Sequence, residues 1–273
     1  MLKQRVITAL ILAPLVIASV LFLPGDLLAL LLAIVVGFGA REWATLSGIS
    51  HPFGQWFYSL AVLLVMLVSY LVLPPVWIRW VVGLSVVWWV LALYRLSRYR
   101  GESGVTRIEP ARLVEGFVVL VPAWLSLVVI HRAPENGPVL LLFLLILIWG
   151  ADIGAYFAGH RWGRTKLAPL VSPGKTREGV YGAMASALLC GLLLVWWFDA
   201  GPSQGAWLLC LCLVTMLFSV VGDLYESLLK RRRGIKDSGV LLPGHGGMMD
   251  RIDSLTAAVP VFLFGLMLFG EAG

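Results

Sequence analysis

Asp223, Ser227 and Lys230 stand at i, i+4 and i+7, and Asp250 and Asp253 at i and i+3, in one polar stretch that runs to Ser254 between two apolar segments. A helix continuing past Asp223 presents the first three on one face, and a helix starting at Asp250 does the same for the other two, with Arg251 between them. Paired carboxylates beside basic side chains suit a hard cation such as Mg²⁺ together with phosphate, because magnesium takes oxygen ligands and leaves other positions to water and phosphate. Asp223 and Asp250 are the carboxylates expected to hold it. Lys230 and Lys236 would neutralise phosphate charge. Asp237 follows Lys236, and Gly244-His245-Gly246-Gly247 brings backbone N–H groups and an imidazole into a tight loop, where glycines permit close approach to phosphate oxygens. The Arg231-Arg232-Arg233 cluster reads first as the positive flank of a span.

Two further places carry polar groups at the same ends of their spans. Asp152 lies inside an otherwise apolar segment, Trp149 to His160, with Tyr156 one turn on. A carboxylate at membrane depth costs roughly 2.5–3.5 kcal/mol on insertion scales, so Asp152 should face a polar cavity or a partner. The glycines at 150, 154 and 159 read as helix-packing positions, Gly150 and Gly154 in a G-x-x-x-G pair. The second place is Ser172-Pro173-Gly174-Lys175-Thr176-Arg177-Glu178-Gly179. Gly174-Lys175-Thr176 resembles the end of a P-loop, but the first glycine of that motif would fall at Pro169, and a membrane-flanking loop offers no strand before it. What the segment does offer a triphosphate is hydroxyls and an ammonium. A plain Pro/Gly turn with topology-fixing positive charge is the competing reading.

The elements that must position these groups are membrane helices. Of 273 residues, 60% are hydrophobic and only 13% charged, outside the range of a soluble domain. Apolar segments near 6–23, 27–44, 56–73, 77–94, 113–131, 139–157, 180–198, 206–225 and 255–270 predict an all-α polytopic protein of about nine transmembrane helices. The first is expected to be a retained helix, since no small-residue cleavage site precedes Leu23-Pro24. With nine spans, 19 of the 21 Lys and Arg residues fall on the side of the N-terminus, which puts it in the cytoplasm; Arg79 and Arg132 are the exceptions. The loop 95–112, with five arginines, reads as a solvated, topology-fixing face. Residues 1–112 are expected to form a scaffold for dimerisation or lipid access, and 113–273 the catalytic region.

Net charge +6 does not indicate nucleic acid, because the basic residues are spread over span flanks without interleaved stacking aromatics; membrane lipid or phosphate is the better partner. Cys190, Cys210 and Cys212 lie in apolar spans without metal-ligand spacing and read as packing residues. Trp77, Trp80, Trp88, Trp89, Trp196 and Trp197 read as interfacial aromatic belts.

Ser227-Leu-Leu-Lys230-Arg231, Lys236-Asp237, Pro243-Gly-His245-Gly246-Gly247 and Asp250-Arg251-Ile-Asp253, at their fixed spacing, resemble the signature of the phosphatidate cytidylyltransferase (CDP-diacylglycerol synthase) family. The resemblance extends upstream through Gly222 to Glu226 and the Ser172 to Gly179 segment to Asp152 and Tyr156. It implies transfer of CMP from CTP to phosphatidate, giving CDP-diacylglycerol and pyrophosphate, by a magnesium-dependent, typically dimeric enzyme of the cytoplasmic membrane. It further implies that Asp223 and Asp250 hold the metal, with a monovalent cation such as K⁺ beside it. Ser172, Pro173, Lys175, Thr176, Lys230, Arg231 and Lys236 would then hold CTP phosphates or the lipid phosphate. Relatives commonly read Ser-Pro-Lys-Lys-Thr where Gly174 stands here. No strong general base is needed, since a phosphate monoester with a second pKa of about 6 is already mostly dianionic at neutral pH, so His245 is expected to position rather than deprotonate. A CTP-dependent lipid kinase is the neighbouring enzyme reading, and an ion-coupled secondary transporter using Asp152, Asp223 and Asp250 the non-enzyme one.

Overall fold

The computed structural model describes residues 2–239, 241 and 246–272, with side chains left out at 2–9, 271 and 272. Nine helices follow one another among the described residues: α1 (Leu2–Phe22), α2 (Gly25–Leu46), α3 (Pro52–Val72), α4 (Pro75–Arg98), α5 (Pro110–His131), α6 (Gly137–Trp162), α7 (Arg177–Trp197), α8 (Pro202–Arg233) and α9 (Met249–Ala272). Eight of them, α2 to α9, are long and apolar enough to cross a membrane, and α1 contributes a shorter apolar stretch, Leu10–Phe22. The chain is therefore an all-α polytopic membrane protein, as its composition requires. Proline opens α3, α4, α5 and α8, where its missing N–H falls among donors that lack an intrahelical partner anyway.

Among the described residues one short strand pair interrupts the helices. β1 (Lys166–Ala168) and β2 (Ser172–Thr176) pair antiparallel, Lys166 opposite Thr176 and Ala168 opposite Ser172. The sequence here reads as a membrane-flanking loop, with no strand expected. Eight strand residues suffice because the turn between Ala168 and Ser172 returns the chain on itself, with the Val171 N–H donating to the Ala168 carbonyl at 3.1 Å.

Two compact units interleave along the chain. The first comprises Met1–Ile78, Glu102–Leu142 and Leu229–Asp253; the second comprises Arg79–Gly101, Phe143–Leu228 and Ser254–Gly273. In the first, α2, α3 and α5 pack together, and the polar atoms at their contacts find backbone carbonyls. Trp43 Nε1 donates to Arg112 at 2.7 Å, Tyr58 Oη to Leu113 at 2.7 Å, Ser59 Oγ to Gly37 at 2.7 Å and Trp124 Nε1 to Ala29 at 3.0 Å. Where no water reaches, each such donor must be satisfied inside the protein. Arg232 and Arg233, expected chiefly to mark a membrane side, do structural work in this unit. Arg232 pairs with Glu102 and Glu109, both at 2.7 Å, and Arg233 Nε donates to the Leu46 carbonyl at 2.6 Å. Part of the loop 95–112 is thereby tied down rather than merely solvated.

In the second unit α6 and α7 approach closely: a Cβ at Gly154 would overlap Ser186 and the Gly182 carbonyl, and one at Gly182 would overlap Gly154. Gly150 has ordinary room, with Cys190 Sγ 3.9 Å from a built Cβ, so the tight crossing is Gly154 on Gly182 and not a Gly150/Gly154 seam. Trp77, Trp80, Trp196 and Trp197 are exposed apolar surface, as belts require. Trp89 departs from that reading. It is buried, donates to the Thr256 carbonyl at 3.1 Å and packs edge-on against Trp88 and Tyr225.

Candidate active site

Helix α8 runs unbroken for 32 residues, about 48 Å at 1.5 Å per residue, so it crosses a hydrocarbon core of about 30 Å and continues. The continuing helix expected from Asp223, Ser227 and Lys230 is thus present. Asp223 and Ser227 belong to the second unit and Lys230 to the first, and each unit holds its own Lys–Asp pair.

The second unit's pair lines a cavity. Lys175 Nζ lies 2.5 Å from Asp223 Oδ2, and Ser227 Oγ donates to Asp223 Oδ1 at a long 3.4 Å. Asp152 lies within electrostatic reach of both Lys175 and Asp223. A cavity of about 390 Å³ opens beside them, lined among others by Asp152, Tyr156, His160, Gly174, Lys175 and Thr176. Asp152 thus lines a cavity of mixed polar and apolar walls and lies near the Lys175 ammonium. Tyr156 and His160, one turn apart on α6, stack with ring planes 6° apart. His160 is a cavity residue that sequence reasoning passed over, although it follows Tyr156 by four residues.

The β hairpin and α7 build the cavity's other wall. Thr176 is the N-cap of α7, its hydroxyl oxygen accepting the Gly179 N–H at 3.1 Å. The Thr176 hydroxyl, expected to serve a phosphate, thus spends one lone pair on the helix and keeps its proton to donate. Lys175 and Arg177 flank a helix N-terminus, a place where backbone N–H groups and the helix dipole favour anions. Ser172 and Pro173 lie on β2 but not in the cavity lining. At Gly174 no atom lies within 4 Å of a built Cβ, so the strand has space for a side chain there.

The first unit's pair is enclosed. Lys230 Nζ donates to Asp250 Oδ1 at 2.6 Å, while Asp250 Oδ2 accepts the Gly247 N–H at 2.7 Å, the Ser238 N–H at 3.0 Å and the Ser238 hydroxyl at 3.0 Å. Beside them sits Glu42 of α2, buried, which no motif had marked. Its Oε1 accepts the Met248 N–H at 2.9 Å, and its Oε2 accepts the Met249 N–H at 2.7 Å and the Ser238 hydroxyl at 2.8 Å. The only hint in the sequence was a charged residue within an apolar segment, and Arg41 beside it made a span end the simpler explanation.

Gly246 and Gly247, read as room for phosphate oxygens, admit carboxylates of the protein itself. Gly246 has φ +79, a region that disfavours side chains, and a Cβ there would meet Asp250 Oδ2; a Cβ at Gly247 would overlap Glu42 Oε2 and Ser238 Oγ. Lys236 and Asp237 are exposed just before Ser238, Arg251 is exposed and Asp253 half-buried in the first turns of α9, and Arg231 is half-buried near the end of α8. His245 and Gly244 lie outside the described residues.

Carboxylate oxygens are available at both pairs, and at each, one of them is held by a lysine ammonium. Among the described residues no group of three or more Asp, Glu, His or Cys side chains gathers as a metal cage. That donor set fits magnesium, which uses one or two carboxylates and completes its shell with water and phosphate oxygens.

Known proteins similar to this chain share one name. A Pseudomonas aeruginosa protein named phosphatidate cytidylyltransferase is 46% identical over 265 residues, covering 96% of both chains. One of the same name from Haemophilus influenzae is 36% identical over 282 residues, covering 97% of this chain and 98% of its own. A Bacillus subtilis relative, also so named, is 36% identical over 159 residues, 56% of this chain. The Cytidylyltransferase family pattern matches residues 3–269, and with that match over nearly its whole length the chain belongs to the cytidylyltransferase family.

Proposed function

We propose that this protein transfers CMP from CTP to phosphatidate, forming CDP-diacylglycerol and pyrophosphate for phospholipid synthesis. The observation that carries the reading is the cavity in which Lys175, Thr176 and Asp152 meet, in a chain matched end to end by relatives named for this reaction. A phosphate oxygen of phosphatidate attacks the α-phosphorus of CTP in line. The new P–O bond forms as the bond to the β-phosphate breaks, and pyrophosphate leaves with the electron pair.

Lys175 and the N-terminus of α7 supply positive charge where the triphosphate's negative charge accumulates. Lys230, Lys236, Arg231 and Arg251 are assigned to phosphate, and Ser172, Pro173, Ser227, Asp237, Asp253, His245 and Tyr156 to placing the substrates. Magnesium is the proposed cofactor, with Asp223 and Asp250 as its protein ligands; when bound it withdraws charge from the phosphate oxygens and the leaving group. A monovalent cation such as K⁺ and a homodimeric state are proposed on the family resemblance alone. The bias of Lys and Arg supports an N-terminus and reaction centre on the cytoplasmic side of the cell's inner membrane.

Purified protein given CTP labelled at the α-phosphorus, phosphatidate and magnesium should move the label into lipid, and Asp250→Asn should not. Label that stays in the nucleotide while a γ-label enters lipid assigns the chain to lipid phosphorylation instead.

A further inference from the structure

We propose that Glu42 is a positioning residue for the transfer reaction: reaching from α2, its carboxylate clamps Ser238 and the N-terminus of α9 and so sets the orientation of Asp250. The inference rests on the reading of Asp250 as part of the transfer machinery.

The residues that open helix α9 are not ones that usually cap a helix. Its first residue is Met249, preceded by Met248, and a thioether is only a weak acceptor for the N–H groups left over at a helix start, a task that Ser, Thr, Asp or Asn normally performs locally. Glu42 performs it from more than 200 positions away, with one oxygen on Met248 and the other on Met249 at 2.9 and 2.7 Å. A carboxylate placed there also lies favourably against the helix dipole. Asp250 is the next residue, so whatever holds Met249 holds the backbone from which the Asp250 side chain projects.

Ser238 joins the two carboxylates. Its hydroxyl lies 2.8 Å from Glu42 Oε2 and 3.0 Å from Asp250 Oδ2, while its backbone N–H donates to Asp250 at 3.0 Å. A hydroxyl carries one proton to donate, so the two carboxylates share it, and a change at Glu42 is felt at Asp250 through one atom. The backbone is shaped around this arrangement. A Cβ at Gly239 or at Gly247 would overlap the Glu42 carboxylate, and one at Gly246 would meet that of Asp250. Asp250 Oδ1 remains turned to Lys230 at 2.6 Å. The clamp therefore decides which Asp250 oxygen takes the loop's donors and which takes a cation.

The test compares wild type, Glu42→Gln, Ser238→Ala and the double variant as purified full-length proteins in nanodiscs. Glutamine keeps the size but replaces one accepting oxygen by an N–H₂ donor, so the Ser238 and α9 donors cannot all be satisfied. Loss of an outer-shell partner typically costs about 10- to 100-fold. Glu42→Gln is expected to lower kcat by that factor and to raise the magnesium concentration for half-maximal rate, with KM for CTP within about twofold of wild type. Ser238→Ala should fall less, and the double variant should match Glu42→Gln alone, since coupled residues are not additive.

Wild-type kcat and magnesium dependence in the folded fraction of Glu42→Gln, with only a lower unfolding midpoint, would overturn the proposal and leave Glu42 a helix cap. Should Glu42→Gln not fold, Ser238→Ala decides: a several-fold loss of kcat supports the clamp, an unchanged rate overturns it. A wild-type protein that moves no label fails the functional reading itself. The clamp is then judged by hydrogen exchange over residues 246–253, where lost protection in Glu42→Gln supports it and unchanged protection refutes it.

Discussion

Two lysine–aspartate pairs of nearly equal length, Lys175–Asp223 at 2.5 Å and Lys230–Asp250 at 2.6 Å, occupy opposite kinds of surroundings. The first has side chains 27% and 30% exposed and borders a cavity; the second is 12% and 9% exposed, with three further donors on the aspartate. An accessible pair contributes little to stability and is easily exchanged for another partner. An enclosed pair is expensive to break, because removing one member strands the other's charge. The comparison separates two jobs that share one chemistry. Lys175 and Asp223 have room to separate, whereas Lys230 and Asp250 are held in place by what surrounds them.

The largest difference is expected on removing the lysines. Lys230→Met should destabilise the protein by about 3–5 kcal/mol, read from denaturant unfolding in micelles. Lys175→Met should cost about 0–1 kcal/mol yet raise KM for CTP. Equal stability losses for the two would erase the distinction. A smaller effect is expected from glycines. Gly247→Ala pushes a methyl group into Glu42 and Ser238 and should cost about 1–3 kcal/mol together with transfer rate; an unfolding midpoint unchanged from wild type would show that these neighbours yield. The smallest effect belongs to the open cavity. Gly174→Lys meets no atom within 4 Å at its Cβ, so stability should stay within about 0.5 kcal/mol. The added ammonium should lower KM for CTP by a factor of up to about five, the effect of an exposed ion pair of 0.2–1 kcal/mol. A higher KM would place the triphosphate elsewhere.

Much of this was legible along the chain. Apolar runs of about 20 residues announce membrane helices because a bilayer leaves few other ways to satisfy a backbone. The i, i+4, i+7 spacing of Asp223, Ser227 and Lys230 placed them on one helix face, and the structure supplies the helix. Asp152 was conspicuous for its cost, and it lines a cavity beside Lys175. Other features were hidden. Trp89 looks like any belt tryptophan until its N–H is seen on Thr256, and Arg233 like any flanking charge until its guanidinium is found on the end of α2.

What the sequence determined by itself is local or compositional: membrane helices, the kinds of side chain available to phosphate and metal, and membership of a family. Helical periodicity relates residues a few positions apart, and nothing in it says which distant helix comes to rest against a given face. Only the tertiary structure could pair Lys175 with Asp223 and Lys230 with Asp250, turn Thr176 into a helix cap, and bring Glu42 across some 200 residues to Met248 and Met249. Those pairings depend on which donors remain unsatisfied once the helices have packed, and that is a property of the folded whole.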